Sequence, residues 1–486
     1  MKKVAIIGGG ITGLSAALTI ENARKEGADV DYIVLEKSLR LGGKILTERT
    51  KDGFVVEGGP DCFVSTKPWV FELCRKLDCE DTLIGSNDAL KKTYILVKNK
   101  MREMPDGIMI MVPTKIMPFL TTDLFSWTGK IRMAMDWFIP KKKEAGDETL
   151  ASFVDRRLGR EALDRIAEPL VAGIHAGDPE TMSLAATFPN LLDMEQKYGS
   201  LIKGMLAAMK ARQGASPHGA GAAKPKGPQR TFFMSFKRGM LDLIDEVLSA
   251  LDKEKIMLEA AVDRVVETEQ DGTVKYSLHL ESGATIDVDA VIITSPSSVA
   301  ANLVDELDGS LAGALREIPM VSSATVSLAF RRKEVKHDFK GFGFIVPMAE
   351  GRKIMACTWS SSKWGGRVPD DEHVLVRAFV GGARNQHLAA IPDDEMLAMV
   401  RSELKDLMGI DAEPVDTWIF RWPGGMPQYT MGHLDRVAKI DQLVAEHPGL
   451  YVAGGSYRGV GVPDCINSGA KAAESAMARM AKGGAS

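Results

Sequence analysis

Cysteine is scarce in this sequence of 486 residues, and no Cys-x-x-Cys pair is present. An odd and thinly spread set excludes a disulfide framework and a zinc site, and it is typical of a reducing compartment. We therefore expect no metal site. The five residues are Cys62, Cys74, Cys79, Cys357 and Cys465.

Long apolar runs are also missing. No segment approaches the roughly 18 uncharged apolar residues of a membrane-spanning helix. Only four apolar residues, Val4 to Ile7, separate Lys3 from a glycine cluster. That is too short for the apolar core of a signal peptide, so we expect a cytoplasmic protein.

A basic excess is absent as well, since 61 Lys and Arg residues face 65 Asp and Glu residues and the formal net charge is −4. Nucleic-acid-binding domains usually carry a basic excess, so we expect no nucleic-acid partner. Hydrophobic residues make up 45% and charged residues 26% of the chain. This balance is that of an ordinary globular protein and excludes disorder and collagen-like structure.

The N-terminal segment has the pattern of a β-α-β unit. The β-branched run Val4–Ile7 leads into glycines, and helix-forming residues follow from Leu14. A second apolar run, Tyr32–Leu35, ends at Glu36. Strand, glycine turn, helix and strand within about 35 residues are typical of this unit.

The glycine turn indicates a dinucleotide site. Gly8, Gly10 and Gly13 have the G-x-G-x-x-G spacing, with Gly9, Ile11 and Thr12 between them. Glycines allow the backbone to approach a pyrophosphate, and the helix N-terminus offers N–H groups and a partial positive charge. Glu36 at the end of the second strand can accept hydrogen bonds from ribose hydroxyls.

Further glycine segments favour FAD over NAD. Arg40, Gly42, Gly43 and Lys44 add backbone donors and two cations after the ribose acid. A third glycine turn contains Gly59 and Pro60. Near the C-terminus a strand ends at Gly454-Gly455, and residues 457–464 lead into a last helix whose N-terminus can face the flavin ring. No second G-x-G-x-x-G follows a strand, so without a nicotinamide site we expect reoxidation by oxygen or a quinone, as in an oxidase.

The rest of the chain predicts an α/β (α+β) protein with a Rossmann-type FAD-binding domain built from discontinuous segments, a mixed-sheet substrate domain and a helical insertion. Amphipathic stripes over 150–171 predict helices, and residues 322–330, 341–347 and 374–380 predict strands of a second sheet. Residues 414–427 are predicted to be irregular. The predicted parts are FAD-binding segments 1–84, 231–298 and 435–486, a helical insertion 85–212 for substrate or membrane, a flexible linker 213–230, and a substrate-domain sheet 299–434.

Residues 104–143 allow two interpretations. They are rich in Met, Ile, Phe and Trp and end in Pro140 followed by three lysines. Such a segment can lie in a bilayer interface beside anionic lipid, on the cytoplasmic face of the membrane. It can equally form a buried helical pair near the substrate, with the lysines in solvent. The sequence leaves both open.

Several motifs resemble the flavin amine oxidase and phytoene desaturase superfamily, although Lys44 stands where its R-x-G-G-R element usually ends in arginine. Three stretches are similar to one branch, the oxygen-dependent protoporphyrinogen oxidases, which include bacterial forms acting on coproporphyrinogen III. The stretches are 168–178 (EPLVAGIHAGD), 426–433 (MPQYTMGH) and 455–469 (GSYRGVGVPDCINSG).

The resemblance implies a porphyrinogen oxidase of heme biosynthesis that holds FAD non-covalently, acts on a tetrapyrrole with O₂, and needs no catalytic side chain because flavin N5 carries the chemistry. The resemblance also implies a homodimer, which no residue pattern of this sequence indicates. Gly173 and Ile345 match positions that line the substrate cavity. The FAD contacts it implies, besides Gly8 to Gly13 and Glu36, are Lys37, Lys44, Gly59, Pro60, Asp61, Cys62, Val262, Trp422, Val460, Gly461 and Val462.

The site that holds the substrate propionates stays open. Some relatives carry an arginine near the start of the substrate domain, where this chain has Lys91-Lys92-Thr93-Tyr94. Lys92 or another cation is therefore the candidate, and protoporphyrinogen IX and coproporphyrinogen III are not distinguished. His175 and His433 are expected to be structural.

Two other functions stay open. An amine oxidase or carotenoid desaturase shares the scaffold, and an amine oxidase would need an aromatic cage, for which Tyr429 and Tyr457 are candidates. A non-catalytic flavin-binding protein would lack a cavity for a tetrapyrrole.

Overall fold

The computed structural model describes residues 1–105, 107–109, 111–113, 115–143, 146–214, 229–270 and 273–482. The predicted linker at 213–230 lies mostly outside the described residues, and its first two residues end the helix Leu201–Gly214. The chain forms two compact units. The first unit comprises Met1–Ser86, Gly227–Met320 and Leu434–Ser486, and the second comprises Asn87–Lys226 and Val321–His433.

The first unit is built on a five-stranded parallel sheet. Its strands lie in the order Ile256–Met257, Val30–Leu35, Lys2–Ile7, Ala290–Ile293 and Leu450–Val452. The sheet is buried on both faces, as parallel sheets usually are. Val4 and Ile6 pack into one core, whereas Ala5 and Ile7 pack into the other, because successive strand residues point to opposite faces.

Helices cover one face of this sheet, and a small antiparallel sheet with further helices covers the other. The antiparallel sheet has the strands Val262–Gln270, Thr273–Leu280 and Thr285–Val288. The remaining strands are Thr47–Arg49, Val55–Glu57, Phe63–Val64, Leu83–Gly85 and Phe233–Phe236. The α-helices are Ile11–Lys25, Trp69–Lys76, Leu241–Ala250, Ser297–Leu303, Gly309–Arg316, His433–Ala445 and Val462–Lys482.

The second unit contains a seven-stranded mixed sheet. Its order is Asp416–Pro427, Met320–Arg331, His373–Gly381, Ile354–Trp359, Gly343–Ile345, Thr93–Val97 and Lys100–Glu103. Gly343–Ile345 runs parallel to Thr93–Val97, whereas Thr93–Val97 is antiparallel to Lys100–Glu103. Short strands at Ile108–Met109 and Val112–Pro113 form a separate pair.

Two cores lie on the two faces of this sheet. Ile95 faces a core formed with the helices, and Leu96 faces a core that includes the helix Asp393–Met408. A π-helical segment, Leu163–Ala167, precedes Glu168–His175. The other α-helices are Ile116–Thr121, Trp127–Ala134, Leu150–Leu158, Arg160–Ala162, Leu184–Thr187, Pro189–Tyr198, Leu201–Gly214 and Ser360–Lys363.

These elements confirm the predicted fold class, an α/β protein with a Rossmann-type parallel sheet, a mixed sheet and a group of helices. The prediction that 414–427 is irregular was wrong, because Asp416–Pro427 is a strand. It lies at the edge of the seven-stranded sheet, where Pro423 need not donate a hydrogen bond to a second neighbour. Within the described ranges, no helix is both long and apolar enough to cross a bilayer.

Candidate functional site

The glycine turn lies between the first strand and the opening helix, Ile11–Lys25. Gly8 has φ +111°, which favours glycine, and a Cβ at Gly13 would overlap the Gly8 carbonyl oxygen. The Thr294 hydroxyl donates hydrogen bonds to the carbonyls of Ile7 (2.9 Å) and Gly8 (3.1 Å). The end of a neighbouring strand therefore fixes the turn. The sequence indicated the turn but not the role of Thr294.

Glu36 lies directly beside this turn. Its carboxylate accepts hydrogen bonds from the Gly9 N–H (2.7 Å), the Ser38 N–H (2.8 Å) and the Ser38 hydroxyl (2.7 Å). The backbone of Glu36 also pairs with Met257 and Ala260, so Val262 begins its strand nearby. The predicted ribose acid is thus held at the carboxyl end of the parallel sheet, where dinucleotides bind in such folds.

The second glycine pair packs against the first. Gly42 donates its N–H to the Gly9 carbonyl (2.8 Å), and a Cβ at Gly43 would lie 3.1 Å from the Gly10 Cα. Arg40 donates to the carbonyl of Gly43 (2.7 Å). Its guanidinium therefore supports the loop itself.

Lys44 follows this pair, and its position suits an anionic ligand. Surrounding protein replaces part of its hydration and lowers the pKa of its ammonium, although the nearby Cys465 thiol acts in the opposite direction. Neither Lys44 nor the exposed Lys37 pairs with a carboxylate in the described part of the chain. Two cations without ion pairs beside a glycine turn match the donor set that a diphosphate requires.

The third glycine turn packs on this loop. A Cβ at Gly59 would overlap the carbonyl oxygen of Lys44, so the two segments are in close backbone contact. The Asp61 carbonyl accepts a hydrogen bond from the Ser235 hydroxyl (2.8 Å), and Pro60 and Cys62 complete the segment before the strand Phe63–Val64.

The C-terminal helix, Val462–Lys482, crosses the opening helix. A Cβ at Gly469 would overlap the carbonyl oxygen of Thr12, so only glycine permits this contact. Val460 and Gly461 lie immediately before the helix, and Asp464 in its first turn pairs with Lys67 (2.6 Å). The first unit thus brings together two helix N-termini, which favour negative charge.

The candidate substrate residues Gly173 and Ile345 face each other in the second unit. A Cβ at Gly173 would lie 3.6 Å from Ile345 Cγ2 and meet no other atom within 4 Å. Trp422 also lies in this unit, half-buried in the edge strand. The His433 ring is buried and stacks on Tyr429 at 3.9 Å, and the His175 ring packs edge-on against Phe188.

Lys92 is not brought together with these two residues. Its ammonium lies 2.7 Å from the Glu103 carboxylate, and Glu103 is paired with Tyr94 across the neighbouring strand. Directly paired residues share a face of the sheet. Tyr94 packs on one face with Trp359, whereas Ile345 is paired with Ile95 and packs on the other. Lys92 therefore lies on the face opposite Ile345.

Sequence reasoning overlooked two residues beside this site. The Glu168 carboxylate accepts the Met348 N–H (3.0 Å), and the Gln428 side-chain amide donates to the His175 carbonyl (3.0 Å). Both lie in stretches with family resemblance, which was the available signal. In the part of the chain that the structure describes, no group of three or more His, Cys, Asp or Glu side chains could hold a metal ion.

A Rossmann-type sheet with three close-packed glycine turns, a ribose acid and unpaired lysines defines the class of dinucleotide-dependent flavoproteins. Comparison with known proteins leads to the same class. The family model for flavin containing amine oxidoreductases matches residues 11–477, and the chain belongs to that family. The predicted cofactor, FAD, and the assignment as an oxidoreductase are confirmed by this membership.

Individual relatives cover nearly the whole chain. Coproporphyrinogen III oxidase of Bacillus subtilis is 38% identical, with 98% of each chain covered. Protoporphyrinogen oxidase 2 of Arabidopsis thaliana is 28% identical, over 97% of this chain and 93% of the relative. A solved structure described as a protoporphyrinogen oxidase of an Exiguobacterium species has a TM-score of 0.83 and 32% identity, covering 98% of this chain and 99% of that one.

Proposed function

We propose that this protein is an FAD-dependent oxidase that converts a porphyrinogen to its porphyrin in heme biosynthesis, with coproporphyrinogen III as the preferred substrate. The observation that carries the proposal is the near-complete match to the Bacillus subtilis coproporphyrinogen III oxidase. The sequence identity to that enzyme is 38%, whereas the identity to the plant protoporphyrinogen oxidase is 28%. The oxidation removes six hydrogens, so one porphyrinogen and three O₂ give one porphyrin and three H₂O₂.

Bound FAD supplies the acceptor for two electrons in each of three steps. The residues proposed to hold it are the glycine turn Gly8–Gly13, Glu36 for the ribose, Lys37 and Lys44 for the diphosphate, and the segments 59–62 and 460–462, with Val262 and Trp422. Backbone donors and helix N-termini supply most of this set. Cys465 is proposed not to bond to the cofactor, because burial raises the pKa of its thiol and disfavours the reactive thiolate.

The substrate-side wall is proposed to consist of Gly173 and Ile345. A side chain at 173 would meet Ile345 Cγ2, its Cβ lying 3.6 Å from that atom, so glycine keeps this wall flat, which suits a bulky macrocycle. The pyrrole N–H groups can release their protons to water, so no side-chain base is assigned. The placement of Lys92 on the opposite face gives no support for its proposed contact with a propionate.

Anaerobic mixing tests this function. Rapid bleaching of the flavin by coproporphyrinogen III, with slower bleaching by protoporphyrinogen IX, is the expected result. Admission of O₂ should then restore the oxidised flavin spectrum with formation of peroxide. Bleaching by amines alone would refute the proposal. The stacking of Tyr429 on His433 covers one face of the tyrosine ring, which argues against a role for Tyr429 in an amine-binding cage.

We also propose that this protein is cytoplasmic and contacts the membrane surface peripherally; a homodimer stays a prediction. The support for membrane contact is a set of exposed apolar side chains on two short helices and the turn that follows them, which we call the apolar surface. Its members are Ile116 (75% exposed), Met117 (67%), Leu120 (40%), Trp127 (67%), Ile131 (63%), Met135 (49%), Trp137 (42%) and Phe138 (82%).

The chemistry of this apolar surface fits an anionic bilayer. Tryptophan is enriched at membrane interfaces, and basic residues beside such a surface attract anionic lipid. Lys203 lies 5.0 Å from the centre of the Trp137 ring, and Lys141 and Lys143 are exposed nearby in the sequence. These exposures disfavour the alternative of a buried helical pair.

Sedimentation with vesicles of phosphatidylserine and phosphatidylcholine tests this contact. The wild type should sediment at low salt, and the double substitution Trp127→Ser and Phe138→Ser should abolish sedimentation. Phe232→Ser is the matched control, because Phe232 is 57% exposed but lies outside the apolar surface. Wild-type protein that stays in the supernatant at low salt would refute the contact.

A further inference from the structure

The helix Glu168–His175 carries Gly173, and both of its ends are tied to loops of the sheet that carries Ile345. Gly173 is exposed, and a Cβ on it would lie 3.6 Å from Ile345 Cγ2, so the position of the helix sets how the two residues meet in the proposed substrate-side wall. Apolar side chains such as Val171 already hold the helix in the core. Packing therefore holds the helix in the core, and the hydrogen bonds at its two ends fix its position relative to the sheet.

The N-terminal tie is made by Glu168. Its carboxylate accepts the N–H of Met348 at 3.0 Å, and Met348 follows Ile345 by three residues in the same chain segment. The tie thus connects the start of the helix to the loop that directly continues the strand of Ile345. Burial raises the pKa of Glu168, whereas the Met348 N–H and Arg384 act against this rise. A carboxylate that is costly to bury is therefore held at this junction.

The π-helical segment Leu163–Ala167 ends immediately before Glu168. A π turn contains one residue more than an α turn, so it rotates every following side chain around the helix axis. Such segments occur frequently at functional sites. Here the segment leads directly into the residue that makes the N-terminal tie.

The C-terminal tie is made by Gln428. Its side-chain N–H donates to the His175 carbonyl at 3.0 Å, and the Ala383 N–H donates to the Ala176 carbonyl at 2.7 Å. These bonds satisfy carbonyl groups that a helix end leaves without partners. A Cβ at Gly177 would lie 2.9 Å from Gln428 Oε1, so the turn is fitted closely to this side chain.

We propose that Glu168 and Gln428 are positioning residues that set the spacing between Gly173 and Ile345 and thereby control how the porphyrinogen is held. The inference rests on the proposed function. Neither residue needs to touch the substrate, since each acts through the helix. The expected signature is weaker substrate binding at an unchanged rate of oxidation once the substrate is bound.

The experiment measures kcat and KM with coproporphyrinogen III for flavin-loaded variants. Glu168→Ala and Gln428→Ala should each raise KM about five- to tenfold, the range that one hydrogen bond accounts for, with kcat within about twofold. Glu168→Gln should restore KM to within about twofold of the wild type, because its amide oxygen still accepts the Met348 N–H. The matched control is Glu180→Ala, since Glu180 lines one pocket together with Glu168 and Met348 but pairs with Arg160.

A double substitution separates positioning from general stabilisation. Gly173→Ala alone should raise KM, because the added methyl group projects from the proposed substrate-side wall and contacts Ile345. Combined with Glu168→Ala, the increase should be smaller than the product of the two single increases, since both changes act on one spacing. If either alanine variant fails to retain flavin, Gln428→Glu provides the second test, because a carboxylate in place of the amide repels the His175 carbonyl and should raise KM.

Glu168→Ala and Gln428→Ala variants with wild-type KM, a Glu168→Gln variant as impaired as Glu168→Ala, or multiplicative effects in the double variant would each overturn the inference. A wild type that retains FAD but oxidises neither porphyrinogen would refute the proposed function itself, and the inference with it. These failures are distinguishable because only the second is seen in the unsubstituted protein.

Discussion

Replacement of His447 by glutamine is expected to lower stability at pH 6 and to lower it less as the pH rises. The imidazole lies between two carboxylates, with Nδ1 2.9 Å from Glu267 and Nε2 3.2 Å from Asp308. Asp308 also accepts the backbone N–H groups of Ser310 and Leu311 at the start of a helix. His447 therefore connects the small antiparallel sheet to this helix start.

Only a protonated imidazole can donate to both carboxylates, because the neutral ring has one donor and one acceptor. Burial lowers the pKa of His447, but the hydrogen bonds to Glu267 and Asp308 raise it by more, so the folded pKa lies above 6.5. A raised folded pKa gives a contribution that is fully present below the unfolded pKa and is lost as the pH rises through the folded one. Glu306 lines a pocket together with Glu267 and His447 and adds a further negative charge.

The size of the effect follows from the two bonds. A hydrogen bond to a charged group contributes about 1.5–3 kcal/mol when buried, and partial solvent access at this site reduces that value. We take the two hydrogen bonds of His447 together to contribute about 1–2 kcal/mol to the free energy of unfolding. For a unit of this size, 1 kcal/mol shifts Tm by about 2–4 °C. The His447→Gln variant should thus melt about 2–8 °C below the wild type at pH 6.

Thermal unfolding by circular dichroism at pH 6, 7.5 and 9 is the assay. The gap in Tm should narrow as the pH rises from 6 to 9, because the wild-type imidazole loses its proton in that direction. His279→Gln is the control, because His279 lies on the neighbouring strand and its ring bonds, among the described residues, to the Thr285 hydroxyl alone. A gap of equal size at every pH, or one that widens with pH, would refute the reasoning.

Three shorter predictions test the cofactor site and the helical core. Gly13→Ala should yield colourless protein by absorbance at 450 nm, since a Cβ there overlaps the Gly8 carbonyl; a yellow variant would contradict the turn geometry. Arg157→Leu should destabilise the protein by about 3–5 kcal/mol in denaturant titration, because it leaves the fully buried Asp136 without its guanidinium partner; a loss below about 1 kcal/mol would contradict this. Acid precipitation should release all flavin into the supernatant, and flavin that stays with the pellet would indicate a bond to Cys465.

The local part of the cofactor site could be predicted from sequence. The strand predicted at Val4–Ile7 is observed as Lys2–Ile7, and that at Tyr32–Leu35 as Val30–Leu35. The motif is reliable here because its strand, turn and helix are consecutive. The contact of Thr294 with the turn could not be predicted, since it joins residues about 290 positions apart.

The edge strand Asp416–Pro427 shows a different limit. Proline and two glycines in this segment predict irregular structure when only the local sequence is considered. At the edge of the sheet the missing N–H of proline costs no hydrogen bond, because one side of the strand needs no partner. Position in the sheet is a tertiary property, and a single sequence does not contain it.

The register of the sheet also decides which cations can face the substrate side. Ile345 is paired with Ile95, and Ile95 is paired with Arg102, so these three residues form one row on one face. Lys92 lies on the other face, although in sequence it is closer than Arg102 to the position where some relatives carry an arginine. Because a shift of one residue along a strand reverses its face, sequence proximity cannot select the propionate partner, whereas cross-strand pairing can. Arg102 satisfies that criterion, but it is already paired with Asp123, so its charge is partly neutralised before any propionate arrives.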